Sequence, residues 1–431
     1  IIVISKEKKS HYQYWDHSLE VDRSLNLDET ISNLTLNIRN AVAKRMITND
    51  TYCFLSGGID SSAIISFASE ISDKPVHAIC VGFKEDEYDE SNYADIMARH
   101  VGAKFHKVIA KPDSFFDMLD TMIYHHDSPF WDTSAYPTYY AAKIAKSFTD
   151  IILTGDGPDQ TMGGADCFVS LIKDNIFARR NPIKQLFCKL GAKTIDKITV
   201  NPVPSILTRI ERKLYRDSLS PVRAQNDIDT MFPDIVKKFM CTDDLWQIHL
   251  KNNPTRHLEN CYYKVKELDD INKQISFLIR FYITDDLMIK VDRMCMAHGL
   301  ETLSPFQDIN LAKTVNKMPT NFKVNVSNSE KITTKYILKR IGQNRFPDCI
   351  LTKRKQGFAI PLEKWIKQDK GKYIKEILLN DTTYQRGYFK KSSLENFVNV
   401  FLNNKGDWYY PNVHGMIALL TLEIWHRKYI D

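Results

Sequence analysis

Residues 54–62 read Phe54-Leu55-Ser56-Gly57-Gly58-Ile59-Asp60-Ser61-Ser62, and the fold follows from how that stretch is punctuated. A short β-prone apolar run, Thr51–Leu55, leads in, and Ala63, Ile64, Ile65, Phe67 and Ala68 follow at helical spacing. The order is buried strand, glycine turn, helix N-terminus. Gly57 and Gly58 let the backbone approach a ligand with no Cβ in the way. The N–H groups that open a helix lie at its positive dipole end, which favours an anion such as a phosphate chain. Ser56, Ser61 and Ser62 add hydroxyl donors. Asp60 would repel phosphate by itself, so an acid in this cradle calls for a bridging cation, and Mg²⁺ is the usual one with nucleotides. A serine-capped turn with no ligand is the plain alternative.

Working outward, a second strand spans Val76–Phe83 and a third Lys107–Ala110, with a helix between them from Ser91 to a glycine stop at Gly102. Helices at about Ser114–His125 and Pro137–Ser147 precede a fourth strand, Asp150–Thr154. That strand enters a second glycine turn, Gly155-Asp156-Gly157-Pro158-Asp159-Gln160, with Gly163-Gly164 close behind. Strands alternating with helices predict an α/β fold, a parallel sheet covered by helices on both faces. Ligands of such sheets sit beyond the strand C-termini, where the strand order reverses. Both glycine turns follow strands, so they could share one crevice.

The 431 residues suffice for a sizeable core and two or three subdomains. A net charge of +6 is too small to argue for nucleic acid, and no apolar run is long enough for a membrane span. The 8 cysteines show no Cys-x-x-Cys spacing, so reduced thiols in a cytoplasmic protein are the simple expectation. Residues 1–27 read as the remnant of a preceding domain, since the chain opens on Ile1 rather than Met and its first residues are strand-like. Residues 28–431 form the main domain. It carries a helical insertion at about 170–265, whose stretch 173–223 is basic, and a helical C-terminal part. The basic stretch reads as a solvated face or as a patch for an acidic partner.

The first loop resembles the Ser-Gly-Gly-x-Asp-Ser pyrophosphate loop of ATP pyrophosphatases. Four stretches in order resemble the synthetase domain of the asparagine synthetase family more closely. They are Ser56–Ser61, Thr154–Asp159 with Gly163-Gly164, Lys290-Val-Asp-Arg-Met294 through Pro305-Phe-Gln-Asp308, and Lys353-Arg-Lys-Gln-Gly-Phe358. The resemblance implies an adenine-nucleotide alpha-hydrolase-like fold. It also implies an ATP-dependent, AMP- and pyrophosphate-forming carbon–nitrogen ligase, with ATP and Mg²⁺ as cofactors and aspartate to asparagine as the default reaction. The substrates would be a small-molecule or peptide carboxylate plus ammonia or an amine. A glutaminase domain or subunit is a partner the family suggests, and a homodimer is left open.

By the same resemblance, Asp60 and Asp159 hold Mg²⁺ on the β- and γ-phosphates, while Ser56, Gly57, Gly58 and Ser61 donate N–H and hydroxyl bonds. Leu55, Val81, Thr154 and Gly155 match positions that flank the nucleoside, mostly through backbone. Lys355 matches the lysine that stabilises charge at the α-phosphorus and in the later tetrahedral intermediate, and it joins Asp156 and Ser56 as a catalytic residue. Asp156 could accept a proton from the attacking amine, and a turn aspartate bonded to its own backbone is equally open. Asp292 and Arg293 match a charged pair near the substrate, or a helix salt bridge.

Two departures bear on the acceptor. Leu303 stands where asparagine synthetases carry arginine, and leucine cannot pair with a carboxylate or phosphate. Gln160 replaces the usual acid after Asp159. Both weigh against free aspartate, and Leu303 with the basic insertion favours a specialised relative: a lasso-type peptide cyclase, a β-lactam-type synthetase or another natural-product or sugar amidotransferase. A nucleotide-binding protein without catalysis is the third reading, opposed by Asp60, Asp159 and Lys355.

Overall fold

The computed structural model describes residues 1–431 except 7, 15, 84–86, 88, 110–114, 174–182, 184–185, 192–205, 220–221, 224–229, 266, 329–330, 354–361, 368–370 and 404–411. It opens on an antiparallel hairpin, β1 (Ile2–Ile4) with β2 (Lys9–His11). The linker that follows is tied to the body. Asp16 pairs with Arg280 at 2.6 Å, and Arg280 also donates to the His17 carbonyl at 2.7 Å.

The main sheet holds β3 (Tyr52–Phe54), β4 (His77–Gly82), β5 (Lys104–Ile109), β6 (Ile151–Leu153) and β7 (Glu301–Leu303), all parallel, in the order β5-β4-β3-β6-β7. The chain starts at β3, runs outward through β4 and β5, then returns to the other side of β3 as β6. The reversal therefore falls between β3 and β6, the two strands that end in glycine turns. The inner strands are nearly all apolar because both faces are covered. Leu34, Ile38 and Val42 of α1 (Leu27–Ala43), with Ile64 and Phe67 of α2 (Ile59–Ile71) and Met97 of α3 (Ser91–His100), pack one face. On the other face lie Ala142 and Ala145, with Val291 and Cys295. Ala142 and Ala145 come from α5 (Ala135–Ala145), which follows α4 (Phe115–His126); Val291 and Cys295 come from the helix Met288–Met296. Asn26 caps α1, accepting from the N–H groups of Asp28 at 2.9 Å and Glu29 at 3.2 Å.

The predicted α/β architecture is present, with differences at its edges. β5 begins at Lys104 rather than Lys107. β7 was not foreseen, since Glu301-Thr-Leu303 has no strand signal of its own and gains its shape from pairing Ile151 to Glu301 and Leu153 to Leu303. The hairpin Asn325–Asn328 with Lys331–Thr333 was also unforeseen. Between 170 and 265 the described residues are mainly helical, including Ile206–Asp217, Asp234–Met240, Asp243–Lys251 and Thr255–Lys264. Much of the basic stretch 173–223 lies outside the described residues. Among those described, no helix is long and apolar enough to cross a membrane, and the cysteines form no disulfide.

Candidate active site

Two loops meet at the C-terminal ends of β3 and β6. In the first, the Ser61 hydroxyl accepts from the Ser56 backbone N–H at 3.2 Å, lies 3.1 Å from Ser56 Oγ and donates to the Gly58 carbonyl at 3.2 Å. These bonds close the turn, and α2 starts behind it with Asp60 in its first turn. Gly57 adopts φ +71°, and a Cβ there would stand 2.6 Å from the Ala94 nitrogen and from the Tyr93 Cβ. Only glycine lets α3 lie against this loop. Ser62 is fully buried, so its hydroxyl is no ligand donor, contrary to the expectation for it. Leu55 and Thr154 are likewise buried, which leaves backbone as their way of touching a nucleoside; Val81 is half-buried on β4.

The second turn presses on the first. A Cβ on Gly155 would stand 2.7 Å from the Ser61 nitrogen and 2.9 Å from the Asp60 carbonyl carbon. The shared crevice predicted from the two strands is therefore present. The Ser304–Gln307 stretch braces it, with Ser304 Oγ donating to the Asp156 carbonyl at 2.9 Å and Gln307 Nε2 at 3.4 Å.

Asp60 and Asp159, 99 positions apart (159 − 60), meet around one cation: the ammonium of Lys335. Lys335 Nζ is bonded to Asp60 Oδ2 and lies 2.7 Å from Asp159 Oδ1. The lysine sits in a left-handed conformation (φ +50°) at the start of the helix Tyr336–Gly342. Burial works against its charge, but the two carboxylates outweigh burial and its pKa is raised. Sequence reasoning missed Lys335 because a lysine ahead of a helix looks like any surface residue. Carboxylates on both sides of this ammonium give the cradle oxygen donors of the kind that suit a further cation.

A second lysine cluster adjoins it. Lys290 is 5% exposed and donates to Asp132 Oδ2 and Ser134 Oγ, both at 2.7 Å. Burial opposes its charge, yet Asp132, Tyr282 and Asp286 raise its pKa. Tyr282 and Asp286 lie on a π-helical stretch, Leu278–Leu287, and precede Lys290 at four-residue spacing; such stretches are frequent at functional sites. Burial, with the Asp132 charge, pushes Asp286 up to about 7. Asp156 joins the two clusters, for both Lys290 and Asp159 act on its charge; burial raises its pKa, Lys290 and Thr154 lower it, and the rise wins. A carboxylate made more basic by burial is better suited to accept a proton from an amine. Lys290 had a readable signal, since it shares a helical face with the buried Leu287 and Met294.

Arg293 corrects another expectation. It donates to the carbonyls of His125, at 3.1 Å, and His126, and lies 3.5 Å from Asp127, while Asp292 is exposed. The two neighbours are split, with Arg293 closing the end of α4. Lys355 falls outside the described residues, as does the rest of Arg354–Phe358.

The family model described as "Asparagine synthase" matches residues 33–427. The chain belongs to the asparagine synthase family. Among its relatives, asparagine synthetase [glutamine-hydrolyzing] 1 of Bacillus subtilis (strain 168) is 26% identical over 88% of this chain and 56% of its own length. A putative asparagine synthetase [glutamine-hydrolyzing] 2 of Methanocaldococcus jannaschii is 31% identical over 69% of this chain and 55% of its own. Amidase chyE of Penicillium rubens is 21% identical over 89% of this chain and 60% of its own. The chain thus spans about half the length of the curated asparagine synthetases it matches.

Proposed function

We propose that this asparagine synthase family member is an ATP-dependent, AMP- and pyrophosphate-forming amide ligase. It adenylates a carboxylate and passes the acyl group to ammonia or another amine, with aspartate to asparagine as the default reaction. The observation that carries this reading is the convergence of Asp60, Asp159 and Lys335 where two glycine turns touch.

The donors suit a triphosphate with its metal. Asp60 and Asp159 both reach one cation, and they would hold Mg²⁺, which neutralises phosphate charge and usually takes one or two carboxylates plus phosphate oxygens. Among the described residues no three His, Cys, Asp or Glu side chains converge as a self-sufficient metal site, which fits an ion that arrives with a nucleotide. The Ser56–Ser61 turn offers N–H and hydroxyl donors at a helix start. Lys335 adds fixed positive charge where pyrophosphate leaves, and Lys355 is assigned the charge that develops at the α-phosphorus. Asp156, whose carboxylate is made more basic by burial, is the group that takes the proton from the amine. Leu55, Val81, Thr154 and Gly155 flank the nucleoside.

Leu303 favours the second reading, a specialised carboxylate in place of aspartate. Its side chain packs against the sheet core, so no guanidinium is offered there. Ammonia would come from a glutaminase-like domain or subunit, and a reducing, cytoplasmic setting suits cysteines that form no disulfide among the described residues. The test is to incubate the chain with ATP, Mg²⁺, ammonia and a panel of carboxylic acids, separating nucleotide products by ³¹P NMR. AMP and pyrophosphate formed with aspartate support the default; the same products with another acid alone support the specialised reading. ADP and phosphate as the products would sink both.

A further inference from the structure

Resting on that ligase reading, which leaves ammonia and other amines open, we propose that the attacking nucleophile is an organic primary amine. Its nitrogen is received where His126, Asp286 and His414 surround Asp132, and Trp131 covers its carbon body. Buried polar atoms are nearly always hydrogen-bonded, so those that are not ask for a reason. Three such atoms lie around Asp132: His126 Nε2, Asp286 Oδ1 and His414 Nδ1 are buried with no hydrogen-bond partner among the described residues. They come from three elements, α4, the stretch Leu278–Leu287 and the helix Val413–Tyr429. Each of these side chains feels the Asp132 charge. The residues just before Asp132 touch both histidines. Phe130 stacks on His126 with ring centroids 4.1 Å apart, and Trp131 meets His414 edge-on at 6.3 Å.

The chemistry of these atoms selects the group that fits. His126, 2% exposed, donates from Nδ1 to the Met122 carbonyl at 2.9 Å, which leaves Nε2 a bare acceptor on a ring that burial keeps neutral, its pKa down at about 4. Asp286, whose carboxyl also bonds Asp132, offers Oδ1 as a second acceptor. The ligand must therefore bring more than one hydrogen. An uncharged primary amine brings two and keeps its lone pair for attack. Burial and the nearby Arg293, which hold His126 neutral, also work against an ammonium. Trp131 decides between ammonia and a larger amine: its ring is 37% exposed beside these buried atoms, a flat apolar surface that ammonia would leave uncovered. The nitrogen bonds to the acyl carbon as the C–O bond to AMP breaks. Its proton passes to Asp156, whose charge is acted on by the same Lys290 that bonds Asp132.

The test uses the full chain with ATP, Mg²⁺ and whichever acid supports ATP–pyrophosphate exchange. Amide formation is followed by mass spectrometry with ammonia or with benzylamine, two amines of similar basicity. Each kcat/KM is divided by the exchange rate, which needs no amine, so a poorly folded variant lowers both quantities alike. The subsite predicts a wild-type preference for benzylamine of at least ten-fold, the scale on which an apolar wall discriminates. Trp131→Ala should bring the two amines within three-fold of each other. His414→Leu should cut the normalised rate with either amine at least ten-fold. An acid that carries its own amine is the other source: a ring product formed without added amine, and lost in the same variants, upholds the subsite with the amine on the acid. Without such a ring, ammonia used as well as benzylamine would overturn the proposal. So would an unchanged preference in Trp131→Ala, or His414→Leu within two-fold of wild type. A wild-type chain with no exchange on any acid overturns the ligase reading, while saturation-transfer NMR of benzylamine, with binding expected in wild type and lost in Trp131→Ala, still decides the subsite.

Discussion

Two buried lysines, Lys335 and Lys290, sit among aspartates in neighbouring parts of one site, yet their surroundings differ in kind. Lys335 is shared by Asp60 and Asp159, whose side chains are 19% and 29% exposed. Lys290 is committed to Asp132 and Ser134, and the surplus acid beside it, Asp286, is pushed up to about 7. Where carboxylates can still be reached by a cation, they serve binding. Where they are enclosed, protonation removes their charge. The first cluster should therefore respond to nucleotide and metal, the second to pH.

The largest effect is expected from Gly155→Ala, which forces a methyl to within 2.7 Å of the Ser61 nitrogen and parts the two turns. Pyrophosphate release should fall at least a thousand-fold, with a stability loss of about 1–3 kcal/mol by overpacking, read from urea unfolding. A variant within ten-fold of wild type would show that the turns need not touch. Next, Lys335→Met leaves Asp60 facing Asp159 with no ammonium between them. ATP turnover should drop on the order of a hundred-fold, as for a lost charge-stabilising group. Equal losses in Lys335→Met and Lys290→Met, with the same pH profile, would erase the distinction between the clusters.

Asp286→Asn tests the second cluster by its sign. The carboxyl has an ordinary value of 3.8 and a folded value of about 7, so between those pH values the folded state holds the extra proton. Its contribution to stability is complete below about pH 4 and is lost as pH rises through 7. Asparagine stays neutral throughout. The variant should gain on wild type between pH 5 and pH 8.5 by on the order of 1–2 kcal/mol, allowing for water penetration around a paired group. A Tm difference that does not change with pH would contradict the assignment. Smallest of all, Arg39→Ala removes an exposed pair with Glu70, the side chains being 44% and 39% exposed, and should cost under about 0.5 kcal/mol.

The first glycine loop was legible because strand, turn and helix signals agree within a dozen residues, and the second because it repeats that grammar after Ile151–Leu153. Their contact at Gly155 followed from the parallel sheet. What sequence could not show is long-range. β7 is a strand only because β6 lies beside it, and Lys335 matters only because two distant acids converge on it. Tyr282, Asp286 and Lys290 follow one another at four-residue spacing, but their meeting with Asp132, far off in the chain, has no local signal. Ser62 shows the opposite failure: a serine in a motif, yet turned wholly into the core.

The central claim, that Asp60 and Asp159 act together on one magnesium-bound triphosphate, is tested most directly by calorimetric titration of ATP with and without Mg²⁺. Wild type should be compared with the Asp60→Asn/Asp159→Asn double variant. The account predicts one Mg²⁺-dependent site per chain whose affinity falls at least a hundred-fold in the double variant. Equal affinity in the two proteins, or wild-type binding indifferent to Mg²⁺, would contradict it.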